Sequence, residues 1–79
     1  MAVYVPIRKE RETDRGFVYR YTASDGSVGL LEISKSTGAS QPIKIATGDN
    51  EQRSYVLAAR KLLKHFHAGE FPEETCWAS

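Results

Sequence analysis

Apolar residues recur at every second position through the first part of this chain. Val3, Val5 and Ile7 alternate with Tyr4, Pro6 and Arg8, and a period of two predicts a strand over about 2–8. Pro6 has no N–H to give to a ladder, which places that strand at a sheet edge. The alternation then stops. Six of the seven residues from Lys9 to Arg15 are charged, with both signs present, and Gly16 follows, so this stretch reads as a solvated loop. Phe17, Tyr19 and Tyr21 next alternate with Val18, Arg20 and Thr22. Aromatic and β-branched residues suit a pleated, half-buried surface, so a strand is predicted over about 17–23. Val28–Ile33 supplies its return, a strand over about 28–34.

Burial decides the register of this hairpin. A two-residue Asp25-Gly26 turn would set Tyr19 against Glu32 and put a carboxylate on the aromatic face. A three-residue Ser24-Asp25-Gly26 loop, with Gly26 left-handed in a bulged turn, sets Tyr21 against Gly29, Tyr19 against Leu31 and Phe17 against Ile33. That face is then wholly apolar, while Arg20 and Glu32 share the other. A one-residue slip exchanges the faces, so the bulged turn is expected.

Ser34–Gln41, with Gly38, suits a connecting loop, and Pro42–Ala46 predicts a short strand over about 42–46 with Ile43 and Ile45 on one side. Thr47-Gly48-Asp49-Asn50 ends it. From there the period lengthens: Tyr55, Ala59, Leu62, Leu63 and Phe66 fall in one arc of roughly 100°, flanked by Val56, which predicts an amphipathic helix over about 50–67. Asp49 is the expected N-cap, with Gln52 completing a capping box. Gly69 stops the helix and Pro72 prevents its continuation. The tail, 70–79, sets Phe71 and Trp77 among Glu70, Glu73 and Glu74. Large aromatics are costly to leave in water, so the tail is expected to dock. The predicted architecture is one α+β domain over 1–79: an antiparallel β-meander of three to four strands, β-β-β-β-α, with the C-terminal helix packed on one face.

Composition narrows the function. A chain of 79 residues buries only about 60% of its unfolded surface, which makes a deep catalytic cleft hard to build. Eleven Lys and Arg against ten Asp and Glu leave a formal charge of +1, too even to imply nucleic acid by itself. Cys76 is the lone cysteine, so no internal disulfide is expected and a reducing, cytoplasmic setting fits best. Neither a signal peptide nor an apolar stretch of roughly 18 residues is visible, so no membrane is expected as partner.

Charge distribution is more informative than net charge. Between Arg53 and His67 there is no carboxylate. Arg53, Arg60, Lys64 and His67 fall opposite the apolar stripe, Lys61 lies at its margin, and Leu57 sits exposed among them. A leucine ringed by cations suits an acidic protein partner; the same cations suit phosphates. The helix macrodipole alone favours cations in the last turn by about 0.3–1 kcal/mol each. The second face of the sheet, with Val18, Arg20, Val28 and Leu30, is only half polar and offers another contact surface, for a partner or a second copy.

Other chemistries fit poorly. Arg15-Gly16-Phe17-Val18-Tyr19 resembles the aromatic strand of RNA-recognition motifs over a few positions, but Arg20 stands where valine is wanted and that family needs a helix before this strand, so the assignment is rejected. Three strands and a helix resemble in layout the sheet modules of integrases that bind DNA, which would turn Arg20, Thr22 and Glu32 toward the duplex, and Glu32 suits phosphates badly. His65 and His67 are two apart on a helix, which points them apart rather than toward one metal. Cys76 lies beside Glu73 and Glu74, which disfavour a thiolate. Ser34-Lys35-Ser36-Thr37-Gly38 has the residue types of a phosphate loop without its glycine spacing. The expectation is a non-enzymatic interaction module with no cofactor, metal or small-molecule substrate. It binds a protein partner or itself through Arg53, Leu57, Arg60, Lys61 and Lys64 or through Arg20 and Leu30. The alternative is nucleic acid on the basic helix face.

Overall fold

The computed structural model describes residues 4–78, apart from the side chain of Asn50. Residues 2–3 of the first expected strand and Ser79 of the tail lie outside the described residues. The chain forms β1 (Tyr4–Glu12), β2 (Gly16–Thr22), β3 (Val28–Ser34), β4 (Ser40–Lys44), a 3-10 turn (Asn50–Gln52), α1 (Arg53–His67) and β5 (Glu74–Ala78). The strands make one antiparallel sheet in the order β4-β3-β2-β1-β5, with α1 across one face. The α+β meander expected from the alternation is present, with one more strand than the pattern revealed.

The central hairpin has the bulged register. Tyr21 faces Gly29, Tyr19 faces Leu31 and Phe17 faces Ile33. Ala23 N–H donates to the Ser27 carbonyl at 2.8 Å across the three-residue loop, and Gly26 adopts φ +88°, a left-handed geometry that glycine meets without a Cβ clash. Tyr19, Tyr21, Leu31 and Ile33 are fully buried, with Val5, Ile7, Ala58 and Leu62 completing the core.

Three expectations for the strands are corrected. First, β1 continues to Glu12 instead of ending at residue 8. The pairing passes from Lys9↔Tyr19 to Arg11↔Val18, leaving Glu10 as an extra residue. This bulge breaks the period of two, so a strand resembled a charged loop. Second, β1 is not an edge strand, because the tail forms β5 beside it. Pro6 is accommodated because the β1–β2 ladder begins only at Ile7. Lys9 N–H donates toward β5, to Glu73 O at 2.8 Å; alternation turns the Pro6 nitrogen the other way, beyond the end of that ladder. Third, β4 starts two residues early and carries its own bulge. Leu30 pairs with Lys44 and Leu31 with Pro42, so Ile43 drops out of register. It is half exposed rather than packed.

The tail docks as an additional strand at the sheet edge, and the residues leading into it lie against the helix side of the sheet. Phe71 packs on Phe17 with ring centroids 4.6 Å apart, and its carbonyl accepts from Lys9 Nζ at 2.7 Å. Lys9 lies 4.3 Å above the Phe17 ring. The Tyr19 hydroxyl donates to the Pro72 carbonyl at 2.7 Å. Burial, reinforced by the Glu73 carboxylate, pushes that phenol from 10.0 up to about 12. Burial raises Tyr21 as well, even though Ala46 N–H bonds its oxygen.

The helix start and its rotation also differ from the pattern. Asp49 caps α1, but across the 3-10 turn: its carboxylate accepts from Ser54 N–H at 2.7 Å and Tyr55 N–H at 2.9 Å, and no capping box with Gln52 forms. Glu51 and Gln52 take positive φ, 61° and 55°, to turn the chain between cap and helix. The buried residues of α1 are Ser54, Ala58 and Leu62, an arc rotated by roughly 80° from the expected stripe at 100° per residue. The physical cause is size. The sheet below is filled by tyrosines, and serine and alanine let the helix approach it, whereas Val56 and Leu63 are turned outward, 42% and 39% exposed.

Candidate interaction surface

Two contacts fix α1 beside the β3–β4 turn. At one end the Tyr55 hydroxyl meets Ser40 Oγ at 3.4 Å. At the other, Phe66 lies against Gly38, where a Cβ would come within 2.5 Å of the ring. Gly38 also has φ +76°, so both its backbone and the ring exclude a side chain. Between these two points the small Ala59 leaves an open groove of about 330 Å³, walled by Val56, Arg60 and Leu63 on the helix and by Thr37–Ser40 on the turn.

Arg60 borders the groove, and Arg53 and Lys64 continue from it on the exposed side of α1. Among the described residues none of Arg53, Arg60, Lys61 and Lys64 has an ion pair. Four carboxylates are engaged elsewhere: Glu73 with Lys9 at 3.6 Å, Glu74 with Arg8 at 3.7 Å, Glu10 with Arg20 at 3.1 Å, Glu12 with Lys35 at 3.3 Å. Glu70 reaches only the inner side of the helix, at His65 Nδ1. The acidic tail therefore does not fold back over the basic face.

Of the residues expected to form this surface, Arg53, Arg60 and Lys64 are exposed and lie on one face. Lys61 is half-buried at the margin. Leu57 is a correction: it is half-buried and packs against the core, because the rotation of α1 carries it toward the sheet. Val56 and Leu63 take its place as the apolar residues beside the cations. Sequence periodicity assigned both to the core or its border; the small residues Ser54 and Ala58 were the signal that the buried arc lay elsewhere.

Among the described residues no element covers the second sheet face. Arg20 lies opposite Arg8 and Leu30, and Leu30 lies opposite Lys44. Like charges directly opposite are unfavourable, and each arginine here is answered by its own carboxylate. Val28 is 38% exposed and Leu30 is half-buried. Val18 is a correction, since it is fully buried: its cross-strand partners Arg11 and Glu32 flank it, and Glu32 is held over the sheet by Thr13 Oγ1 at 2.8 Å and Gln41 at 3.2 Å.

The remaining clusters are internally satisfied. His65 is bridged, Nδ1 to Glu70 at 3.1 Å and Nε2 to Thr75 Oγ1 at 2.9 Å, while His67 is exposed beside the Phe66 ring. A cleft of about 520 Å³ lies between the β1–β2 and β3–β4 turns and is lined by charges of both signs, including Asp14, Arg15, Glu32 and Lys35. In its Ser34–Gly38 wall the Ser36 and Thr37 N–H groups donate to Ser34 Oγ at 3.3 Å, and Gly38 N–H donates to Ser34 O at 2.9 Å. Those donors are turned into the loop itself and are not presented to a phosphate. Among the described residues no helix is long and apolar enough to cross a membrane. Comparison with family models, with curated proteins and with solved structures finds no match to this chain.

Proposed function

We propose that this chain is a non-enzymatic interaction module that holds a segment of another protein along α1. The segment places apolar side chains in the groove beside Val56 and Leu63 and carboxylates against Arg60, Arg53 and Lys64. One observation carries the reading: Arg8, Lys9, Arg20 and Lys35 are each matched to a carboxylate of the same chain, while among the described residues Arg53, Arg60, Lys61 and Lys64 are not. Unmatched charge bordering exposed apolar side chains is complementary to an acidic, amphipathic partner. We place the module in the cytoplasm, where its single thiol stays reduced.

Nucleic acid is the second reading, with the same cations on phosphates. Val56 and Leu63 weigh against it, since a phosphate backbone gains nothing from exposed aliphatic side chains. Selection from a displayed random-peptide library separates the two. Enrichment of peptides combining Asp or Glu with large apolar residues, with capture abolished by Leu63→Asp and by Arg60→Glu, supports the protein partner. Peptides indifferent to both substitutions, together with a salt-sensitive shift of an oligonucleotide, refute it.

A further inference from the structure

The two edges of the sheet are built differently. β4 carries Pro42, a bulge at Ile43, and Lys44, three devices that discourage a further strand from pairing. β5 carries none of them. Glu74–Ala78 contains no proline, lysine or bulge, and every residue pairs with β1 in unbroken register. The direction of its free backbone follows from that register. Lys9 N–H donates to the Glu73 carbonyl, and Pro6 cannot donate to its partner Cys76. Alternation therefore turns the backbone of Thr75 and Trp77 toward β1 and that of Glu74, Cys76 and Ala78 toward solvent.

The side chains along this edge are apolar on both faces. Trp77 is half-buried on the helix side; Pro6 and Cys76 are half-buried on the other side, where Tyr4 is 61% exposed. The one charge within the strand, Glu74, is already matched to Arg8.

We propose that β5 pairs antiparallel with β5 of a second copy about a two-fold axis at Cys76, fusing two sheets into one. This inference is independent of the groove on α1. The sequence of the strand is self-complementary in that register. Glu74 faces an alanine of the second copy and never another Glu74, so no like charges meet. Thr75 faces the tryptophan of the second copy, a β-branched–aromatic pair of the kind that stabilises cross-strand contacts, and symmetry repeats it. Each outward N–H and carbonyl finds a partner, and the half-buried Trp77 side chains of both copies lose water together.

Sedimentation across a wide concentration range tests the proposal. The expected result is a monomer–dimer equilibrium that Cys76→Ser preserves and Cys76→Pro abolishes. The Cys76 N–H faces away from β1, so proline there removes an edge donor without breaking the internal ladder. Should Cys76→Pro fail to fold, Ala78→Pro removes another outward donor and weakens association roughly tenfold. Directly opposed residues in such a pair stand about 5.5 Å apart at Cα, within disulfide reach. Diamide is then expected to link two Cys76 thiols, their two protons and two electrons passing to the reagent, and to yield a covalent dimer on a non-reducing gel. Leu63→Asp is expected to leave the equilibrium unchanged. A strict monomer at the highest concentration overturns the proposal, as does a dimer that survives the proline substitutions or that diamide cannot cross-link.

Discussion

Arg8, Lys9, Arg20 and Lys35, on the strands and the β3–β4 turn, and Arg53, Arg60 and Lys64, on the helix, have different occupations in this protein. Lys9 is held by a ring, a carbonyl and a carboxylate, with its side chain only 16% exposed. Arg8, Arg20 and Lys35 each have a carboxylate within 4 Å. Arg53, Arg60 and Lys64 stand in solvent with no such partner among the described residues. A charge answered within its own chain contributes to the fold; an unanswered one is available to something else. With a net charge of only +1, the separation of the two sets gives the molecule a surface that its composition hides.

Four measurements would break or sharpen that contrast. The largest effect belongs to pH on the sheet side. The Tyr19 phenol is raised from 10.0 to about 12, so its neutral form is favoured by folding. Its contribution is whole below pH 10 and disappears as pH rises through 12, a displacement amounting to roughly 3 kcal/mol. Urea melts are expected to show an alkaline loss in that window that Tyr19→Phe flattens; equal losses in both proteins would remove Tyr19 as the cause. Next is Lys9→Met, which keeps the aliphatic stem and deletes the donor to Phe71 and the pair with Glu73. The expected cost is about 2 kcal/mol, and a cost no greater than that of Lys64→Met would erase the distinction between the two sets. Arg20→Ala comes third. Its pair with Glu10 is partly exposed, so a loss of about 0.5–1 kcal/mol is expected, shrinking in high salt. The smallest effect is that of Arg60→Glu with Lys64→Glu: stability changes within about 0.5 kcal/mol, while retention on a cation exchanger collapses. A large destabilisation there would show that the helix cations serve the fold after all.

Legibility in the sequence followed the distance over which each feature is specified. The β2–β3 hairpin was readable to the residue because alternation and turn chemistry both lie within one short segment. β1 beyond Arg8 was not, because the bulge at Glu10 reverses the alternation without any special residue to announce it. β5 was hidden more deeply: Thr75 and Trp77 become inward-facing only because Ile7 and Val5 stand opposite them, partners from the far end of the chain. On the helix, counting apolar residues located the axis but not its rotation. Val56 and Leu63 raise the apparent stripe toward themselves, while Ser54 and Ala58, which the sheet requires for close approach, add little to an apolar count. The cations Arg53, Arg60 and Lys64 were found because the absence of carboxylates from 53 to 67 is local. Their apolar neighbours were misassigned because rotation is a property of the packed pair.

The β1–β5 ladder has a consequence for how the protein comes into being. Val5 meets Trp77 and Ile7 meets Thr75, so β1 is completed only by a strand made after the hairpin, β4 and the helix. The hairpin and helix can form before β5 is made, but the side of β1 that faces β5 stays unpaired until that strand emerges, an entropically expensive closure across the intervening chain. During that interval Val5, Ile7 and Phe17 lack the cover of Trp77 and Phe71, and the growing chain is at its most adhesive before β5 docks.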